Sequence, residues 1–217
     1  MNLVKPSFEI LHHTYRPLHL VEQAGRICYK SEDKITIDSA GKFCDMLLSR
    51  NHESVLEHAS VTVKIICDRG VSHELVRHRL ASFSQESTRY CNYKGGVTFV
   101  IPPWVSIDPG EYKDIAEYPT KEAASKYWFN CMYNAEAYYV KLSENGWTPQ
   151  QARSILPNSL KTEIVITTNL REWRHIFKLR AHKAAHPQMR EIIIPMLAEF
   201  KKIIPVIFDN LTDMEAM

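Results

Sequence analysis

The chain has 217 residues, 45% apolar and 24% charged, enough apolar material for one sizeable core and too little length to favour two large domains. Twenty-seven basic against 25 acidic residues leave a net charge of +2, which supports neither a general nucleic-acid coat nor an acidic interaction tail. Seven glycines and eleven prolines exclude collagen-like or low-complexity chain.

The opening MNLVKPSFEILHH is broken by Lys5, Glu9 and two histidines and does not read as a signal segment. No run approaches the ~20 apolar residues of a membrane span. Helices are predicted at 18–29 and 36–48, then a Val-, Ile- and Thr-rich strand from Ala59 to Cys67, punctuated by Arg69 and Gly70. VSHELVRHRL reads as helix, with Val71, Leu75 and His78 on one face. Residues 81–93 are polar without a period and read as a structured loop. Val97–Ile101 is a short apolar stretch stopped by Pro102 and Pro103, and the segment through Tyr118 reads as irregular. Residues 121–144 give the clearest helix, with Trp128, Met132, Ala135, Tyr139 and Leu142 as its buried stripe and Gly146 as its stop. Thr148, Pro149 and Gln151 carry the pattern of a capped short helix containing Arg153. Thr162–Thr168 is extended, a helix begins near Leu170, and the last runs from Pro187 to Phe208, with Pro195 and Pro205 breaking or bending it. No composition change marks a boundary, so one domain over 1–217 is expected.

The five cysteines (28, 44, 67, 91 and 131) show no CxxC spacing or disulfide framework, which points to a reducing, cytoplasmic setting. The glycine positions exclude intact GxGxxG and GxxxxGK[ST] loops, and GxSxG is absent. His52 and His58 stand six residues apart, about 240° on an α-helix, so they do not form a zinc-protease pair and no metal site is expected.

Two basic clusters remain. Arg77-His78-Arg79 is followed by Ser82, Ser84, Gln85, Glu86, Ser87, Thr88, Arg89 and Tyr90, a mixture of guanidiniums and hydroxyls suited to phosphate or carboxylate. A solvated basic turn with local salt bridges is the plain alternative. Between 171 and 191 six Lys or Arg face two Glu. On a helix Arg171, Arg174, His175, Lys178 and His182 share one face, while Trp173, Phe177, Arg180 and Ala184 share the other. Arg180 among apolar neighbours must reach water, an anion or a partner. A DNA-reading helix would need more support than this near-neutral chain gives.

The sequence resembles the flavin-dependent thymidylate synthases (the ThyX family). The resemblance rests on Arg77-His78-Arg79, seven residues, then Ser87, extended by Thr88-Arg89-Tyr90. HESVLEH at 52–58, QQARSILP at 150–157, NLREWRHIFKLR at 169–180 and HPQMRE at 186–191 add to it in order. It implies an α/β (α+β) subunit with a central, mainly antiparallel sheet flanked by helices, assembled as a homotetramer whose active sites are shared between chains. It also implies methylation of dUMP to dTMP, with 5,10-methylenetetrahydrofolate as carbon donor, FAD as mediator and NADPH as reductant, releasing tetrahydrofolate. No nucleic-acid or membrane partner is expected. Arg77, His78, Arg79, Gln85, Asn169, Arg171, His175 and His186 then correspond to flavin-site residues, with His52 and Ser54 near the flavin or folate. Glu74, Arg77, Gln85, Glu86, Ser87, Thr88, Arg89 and Arg153 correspond to the nucleotide site, and Arg180 to the residue beside the uracil. Glu74 stands where some relatives carry glutamine, and its charge requires a ribose or arginine neighbour. Two other classes compete: a non-catalytic nucleotide-binding or scaffold protein of the same fold, and a flavin oxidoreductase acting on another pyrimidine nucleotide.

Ser87 matches the motif serine, but no neighbouring base activates its hydroxyl, so it is assigned to binding rather than attack. Cys91 and Cys131 are assigned structural roles. Ser87→Ala is expected to keep measurable turnover while weakening nucleotide binding; loss of all chemistry with unchanged binding would contradict the assignment.

Overall fold

The computed structural model describes residues 1–113 and 119–211. In chain order the elements are β1 (Asn2–Val4), β2 (Ser7–His13), α1 (Pro17–Tyr29), α2 (Ser39–Ser49), β3 (Ser60–Asp68), α3 (Arg69–Leu75), β4 (Ala81–Gln85), β5 (Thr98–Val100) and β6 (Gly110–Glu111). They continue with α4 (Ala123–Glu144), α5 (Pro149–Ala152), β7 (Lys161–Asn169), α6 (Leu170–Arg180) and α7 (Pro187–Ile203). Short 3₁₀ turns cover Glu32–Lys34, Glu53–His58 and Arg153–Ile155. The chain is therefore mixed α/β, as expected. Tyr118 lies outside the described residues.

The strands form two sheets, a three-stranded one ordered β5-β1-β6 and a four-stranded one ordered β2-β3-β7-β4. The smaller sheet is mixed: β1 runs parallel to β5 and antiparallel to β6. In the larger sheet Leu170 N–H donates to Ala59 C=O while Arg69 N–H donates to Asn158 C=O, so β3 and β7 run antiparallel. β3 and β7 alternate buried and half-buried residues along their length, the period of a sheet with one face against a core. Val61, Val63 and Ile65 on β3, and Ile164 and Ile166 on β7, are fully buried.

The chain divides into two compact units. The first comprises Met1–Ser7, Ile65–Arg77 and Ser84–Ile164. Its core is Leu3, Val97, Phe99 and Ile101 packed with Phe129, Met132 and Tyr139 of α4. The buried line on α4 is Ser125, Phe129, Met132, Tyr139 and Ser143, with Trp128, Ala135 and Leu142 half-buried beside it, so the stripe is rotated from the expected one. The rotation lets the Glu136 carboxylate accept from Val97 N–H at 2.8 Å. Gly146, at φ 89°, ends the helix where a side chain would be strained. Thr148 and Gln151 form the expected capping box, and Arg153 falls in the 3₁₀ turn beyond it.

The second unit comprises Phe8–Lys64, His78–Phe83 and Val165–Met217, described to Leu211. Helices α1 and α2 approach so closely that a Cβ at Gly25 would lie 2.6 Å from the Phe43 ring. Trp173 and Phe177 of α6 meet Phe200 of α7, with ring centroids 4.9 and 5.0 Å from it, and Phe208 closes the cluster at 5.2 Å. Pro195 lies inside α7 without ending it; the helix stops at Ile203, and Pro205 is in the turn beyond.

Two expectations fail locally. Asp68 caps α3 by accepting from Val71 N–H at 2.7 Å, so Arg69 and Gly70 begin a helix rather than merely ending a strand. That helix stops at Leu75, which leaves His78 beyond it. The expected loop at 81–93 begins with β4, an edge strand that exposes Ser82 and Ser84 and half-buries Ala81, Phe83 and Gln85. No helix among the described residues is long and apolar enough to cross a membrane. Phe200, fully buried, should cost ~3–5 kcal/mol when replaced by Ala. Urea unfolding of Phe200→Ala against wild type measures this, and a loss below ~1 kcal/mol would contradict the packing.

Candidate active site

Helix α6 carries the second unit's polar centre. Asn169 caps it, its Oδ1 accepting from Glu172 N–H at 2.9 Å, which holds Glu172 at the third helical position. Glu172 is only 8% exposed and its Oε1 lies 3.2 Å from Nδ1 of His78, itself 5% exposed. Arg180 Nε donates to His78 Nε2 at 3.1 Å, and the His175 ring meets His78 edge-on at 5.8 Å. Burial first, then the Arg180 cation, lowers the His78 pKa from its ordinary value; the bond to Glu172 opposes this.

One ligand atom from each of His78, Glu172 and His175 lies within 4.8 Å of the others. The three could in principle hold a divalent ion, but the guanidinium already bound to His78 opposes a second cation there.

Beside this group a cavity of about 510 Å³ is lined by Glu53, Glu57, Leu80, Asn169, Arg171, Glu172, His175 and Lys178. Its volume lies in the range of small-molecule sites. Three of the expected flavin residues, Asn169, Arg171 and His175, line it together. Its carboxylates are partnered: Glu57 accepts from Arg171, Glu53 from Arg174 at 3.2 Å, and Glu172 faces His78. Such a lining, with imidazole, amide and guanidinium edges and little net charge, fits a flat polar ring such as flavin better than a bare phosphate.

His52, Ser54, Arg79 and His186 are exposed and are not in that lining. His52 is held instead by Tyr29, whose hydroxyl lies 2.7 Å from its Nδ1. The 240° angle drawn for His52 and His58 does not apply, because Glu53–His58 is 3₁₀, where residues three apart eclipse.

The helical faces assigned to 171–184 also need correction. Arg174 is buried, 3% exposed, and bonds Glu53, the Ile207 carbonyl and Asn210, whereas Arg180 is half-buried. His182 and Ala184 lie beyond the end of α6. Glu53, Glu57, Glu172 and Tyr29 are not among the residues expected at the site, whereas Lys178 belongs to the expected cationic face with Arg171 and His175 and lines the cavity with them. Of the former, only Glu172 left a signal, the Asn-x-x-Glu spacing that opens a helix.

The first unit gathers the other cluster. Arg153 Nη1 donates to Thr88 Oγ1 at 3.1 Å, and Ser87 Oγ accepts from Arg89 N–H at 3.3 Å. Thr88 is buried, while Arg89 and Arg153 remain exposed, and the Arg89 guanidinium lies over the Tyr90 ring at 5.5 Å. Gln85 Nε2 donates to Ser72 at 2.9 Å and to Thr162 at 3.2 Å. The Glu86 carboxylate accepts from Tyr93 at 2.7 Å and from Lys161 at 3.4 Å, anchoring the turn within the unit. Glu74 is half-buried on α3 and its carbonyl accepts from Arg77 N–H, with Arg77 exposed.

All five cysteines are free thiols. Burial pushes Cys44 and Cys67 up to about 12, which keeps them protonated. Cys131 is exposed and Cys91 half-buried, so neither fills a core.

The family model described as "Thymidylate synthase complementing protein" matches residues 9–206. A flavin-dependent thymidylate synthase of Geobacter sulfurreducens is 35% identical over 207 residues, covering 92% of this chain and 84% of the relative. The chain belongs to the flavin-dependent thymidylate synthase family. Another member, from Thermococcus kodakarensis, is 36% identical over 89% of this chain and 78% of its own length. Among solved structures, a UMP/dUMP methylase PolB from Streptomyces cacaoi bound with 5-Br dUMP superposes with a TM-score of 0.76 at 25% identity, covering 96% of both chains. The Arg-His-Arg…Ser segment and the Asn169–Arg180 helix both lie inside the family match.

His78 binds a proton less readily when folded than when unfolded, where it titrates near ~6.5. The unfolded chain therefore takes up more protons on acidification, so this contribution is complete above about pH 6.5 and is lost as pH falls below it. Urea midpoints at pH 7.5 and 5.5 should fall further for wild type than for His78→Gln. Equal falls would remove His78 as the cause.

Proposed function

We propose that this member of the family methylates dUMP to dTMP with 5,10-methylenetetrahydrofolate as carbon donor, FAD as mediator and NADPH as reductant, releasing tetrahydrofolate. The observation that carries the reading is the joining of two motif residues, His78 of Arg-His-Arg and Arg180 of the α6 motif, in one hydrogen-bonded group.

Arg153 and Arg89, with Ser87 and Thr88, supply guanidiniums and hydroxyls for the nucleotide phosphate. Arg153 is already oriented by Thr88, which lowers the entropy lost on binding. Gln85, Glu86, Arg77 and Glu74 would complete the nucleotide side. Arg180 would lie beside the uracil, its cation favouring electron density on the pyrimidine oxygens as C5 becomes nucleophilic. Asn169, Arg171 and His175 would hold the flavin ring, with Arg77, His78, Arg79, Gln85 and His186 supporting it and His52 and Ser54 near the folate or flavin. Bound FAD supplies the hydride chemistry; the chain supplies position and charge.

A single functional domain over 1–217 and a homotetramer with shared active sites belong to the same proposal, as does a cytoplasmic setting, which the five free thiols support. Likeness to a methylase named for both UMP and dUMP favours a second substrate, UMP, as the variant worth testing.

Anaerobically reduced holoenzyme given methylenetetrahydrofolate and dUMP should form thymidylate and tetrahydrofolate in equal amounts, with UMP as the parallel substrate. Arg153→Ala should raise KM for dUMP about ten- to hundredfold, the worth of a charged hydrogen bond. Nucleotide binding without product from flavin-loaded enzyme would favour the scaffold reading, and flavin oxidation without methyl transfer the oxidoreductase. Light scattering should give about four times the chain mass of 25.2 kDa.

A further inference from the structure

We propose that Glu172 and His78 are a positioning pair that fixes the Arg180 guanidinium, with His78 held as the tautomer that carries its proton on Nδ1. The inference rests on the proposal that Arg180 meets the substrate ring, and it adds how that arginine is aimed.

The bonding pattern leaves one assignment. Arg180 Nε bears a hydrogen and no lone pair, so at 3.1 Å it donates to His78 Nε2, which must then be unprotonated. A neutral imidazole with a bare Nε2 carries its hydrogen on Nδ1, and that atom faces Glu172 Oε1 at 3.2 Å. An imidazolium would instead press a second cation against Arg180. Burial and the Arg180 charge both resist that form, and the groups facing the ring are Glu172, Arg180 and His175.

The pair is itself anchored. Glu172 is fixed by Asn169 at the start of α6, whereas Arg180 is the last residue of that helix. Eight residues of helix separate them, roughly 12 Å of rise, so their side chains communicate through the imidazole between them. Both His78 and Glu172 are more than nine-tenths buried, so neither reorients without losing its bonds. Arginine otherwise carries a long, many-rotamer arm; holding Nε from behind orients the plane of the guanidinium.

The pair does its work through orientation, so charge and geometry separate in the test. Glu172→Gln keeps an oxygen that accepts from Nδ1–H, whereas Glu172→Ala keeps none. In ¹⁵N-histidine and ¹⁵N-arginine labelled full-length protein at pH 7.5, with His78 signals assigned against His78→Gln, the Nδ1–H tautomer is expected. The Arg180 Nε–H should be protected from exchange in wild type and Glu172→Gln and unprotected in Glu172→Ala. A proton on Nε2, or an imidazolium at that pH, overturns the proposal. With flavin content equalised, Glu172→Ala should lose about ten- to hundredfold in kcat, as expected for a misaimed group, and Glu172→Gln should recover most of it. An alanine variant with wild-type kcat, or a glutamine variant no better than alanine, also overturns it. If wild type forms no thymidylate, the functional reading fails, and the His78 and Arg180 signals still decide the positioning pair. Should Glu172→Ala not fold, the wild-type tautomer and Glu172→Gln remain decisive.

Discussion

Burying charge on α6 is the constraint on which the second unit depends. Glu172 and Arg174 on α6, and the His78 imidazole that meets Glu172, are all more than nine-tenths buried; an ion taken from water without a partner costs several kcal/mol, and an unpaired buried polar ring costs as well. Each therefore has its partner: Glu172 faces His78, Arg174 reaches Glu53, Asn210 and the Ile207 carbonyl, and His78 accepts from Arg180. The aromatic cluster of Trp173, Phe177, Phe200 and Phe208 supplies the apolar burial beside these pairs. Paired buried charge and aromatic packing thus meet on one eleven-residue helix.

The cavity beside α6 follows from the same pairing. Because Glu57 holds Arg171 and Glu53 holds Arg174, the lining offers polar edges without a strong charge of either sign. In the first unit the arrangement differs, with Arg89 and Arg153 exposed around a turn whose own glutamate is tied down by Tyr93 and Lys161. Burial and the bond to Glu86 push the Tyr93 phenol up, so it stays a donor to that carboxylate. Exposed guanidiniums on an anchored turn suit an anion that arrives from water.

Arg174 and Arg180 show what helical spacing leaves undecided. Helical spacing set Arg180 among the apolar residues and Arg174 among the exposed cations. The fold reverses the emphasis, because the chain after α7 brings the Ile207 carbonyl and Asn210 to Arg174. A helical wheel shows the faces of one helix and carries no information about what packs on each. Strand β4 was hidden for a different reason: in ASFSQ only Phe83 is a strongly strand-favouring residue, set between two exposed serines.

From the amino-acid order alone came most helices, the strands at β3 and β7, the capping box at Thr148, the helix start at Asn169 and the two motifs that mark the family. These are local matters, decided by periodicity, caps and short spacings within a few turns of chain. Tertiary structure alone decided which carboxylate faces His78, which arginine is buried, and that Tyr29 holds His52. Those contacts join residues 94, 121 and 23 positions apart, and nothing local encodes a pairing that exists only once separate segments pack together.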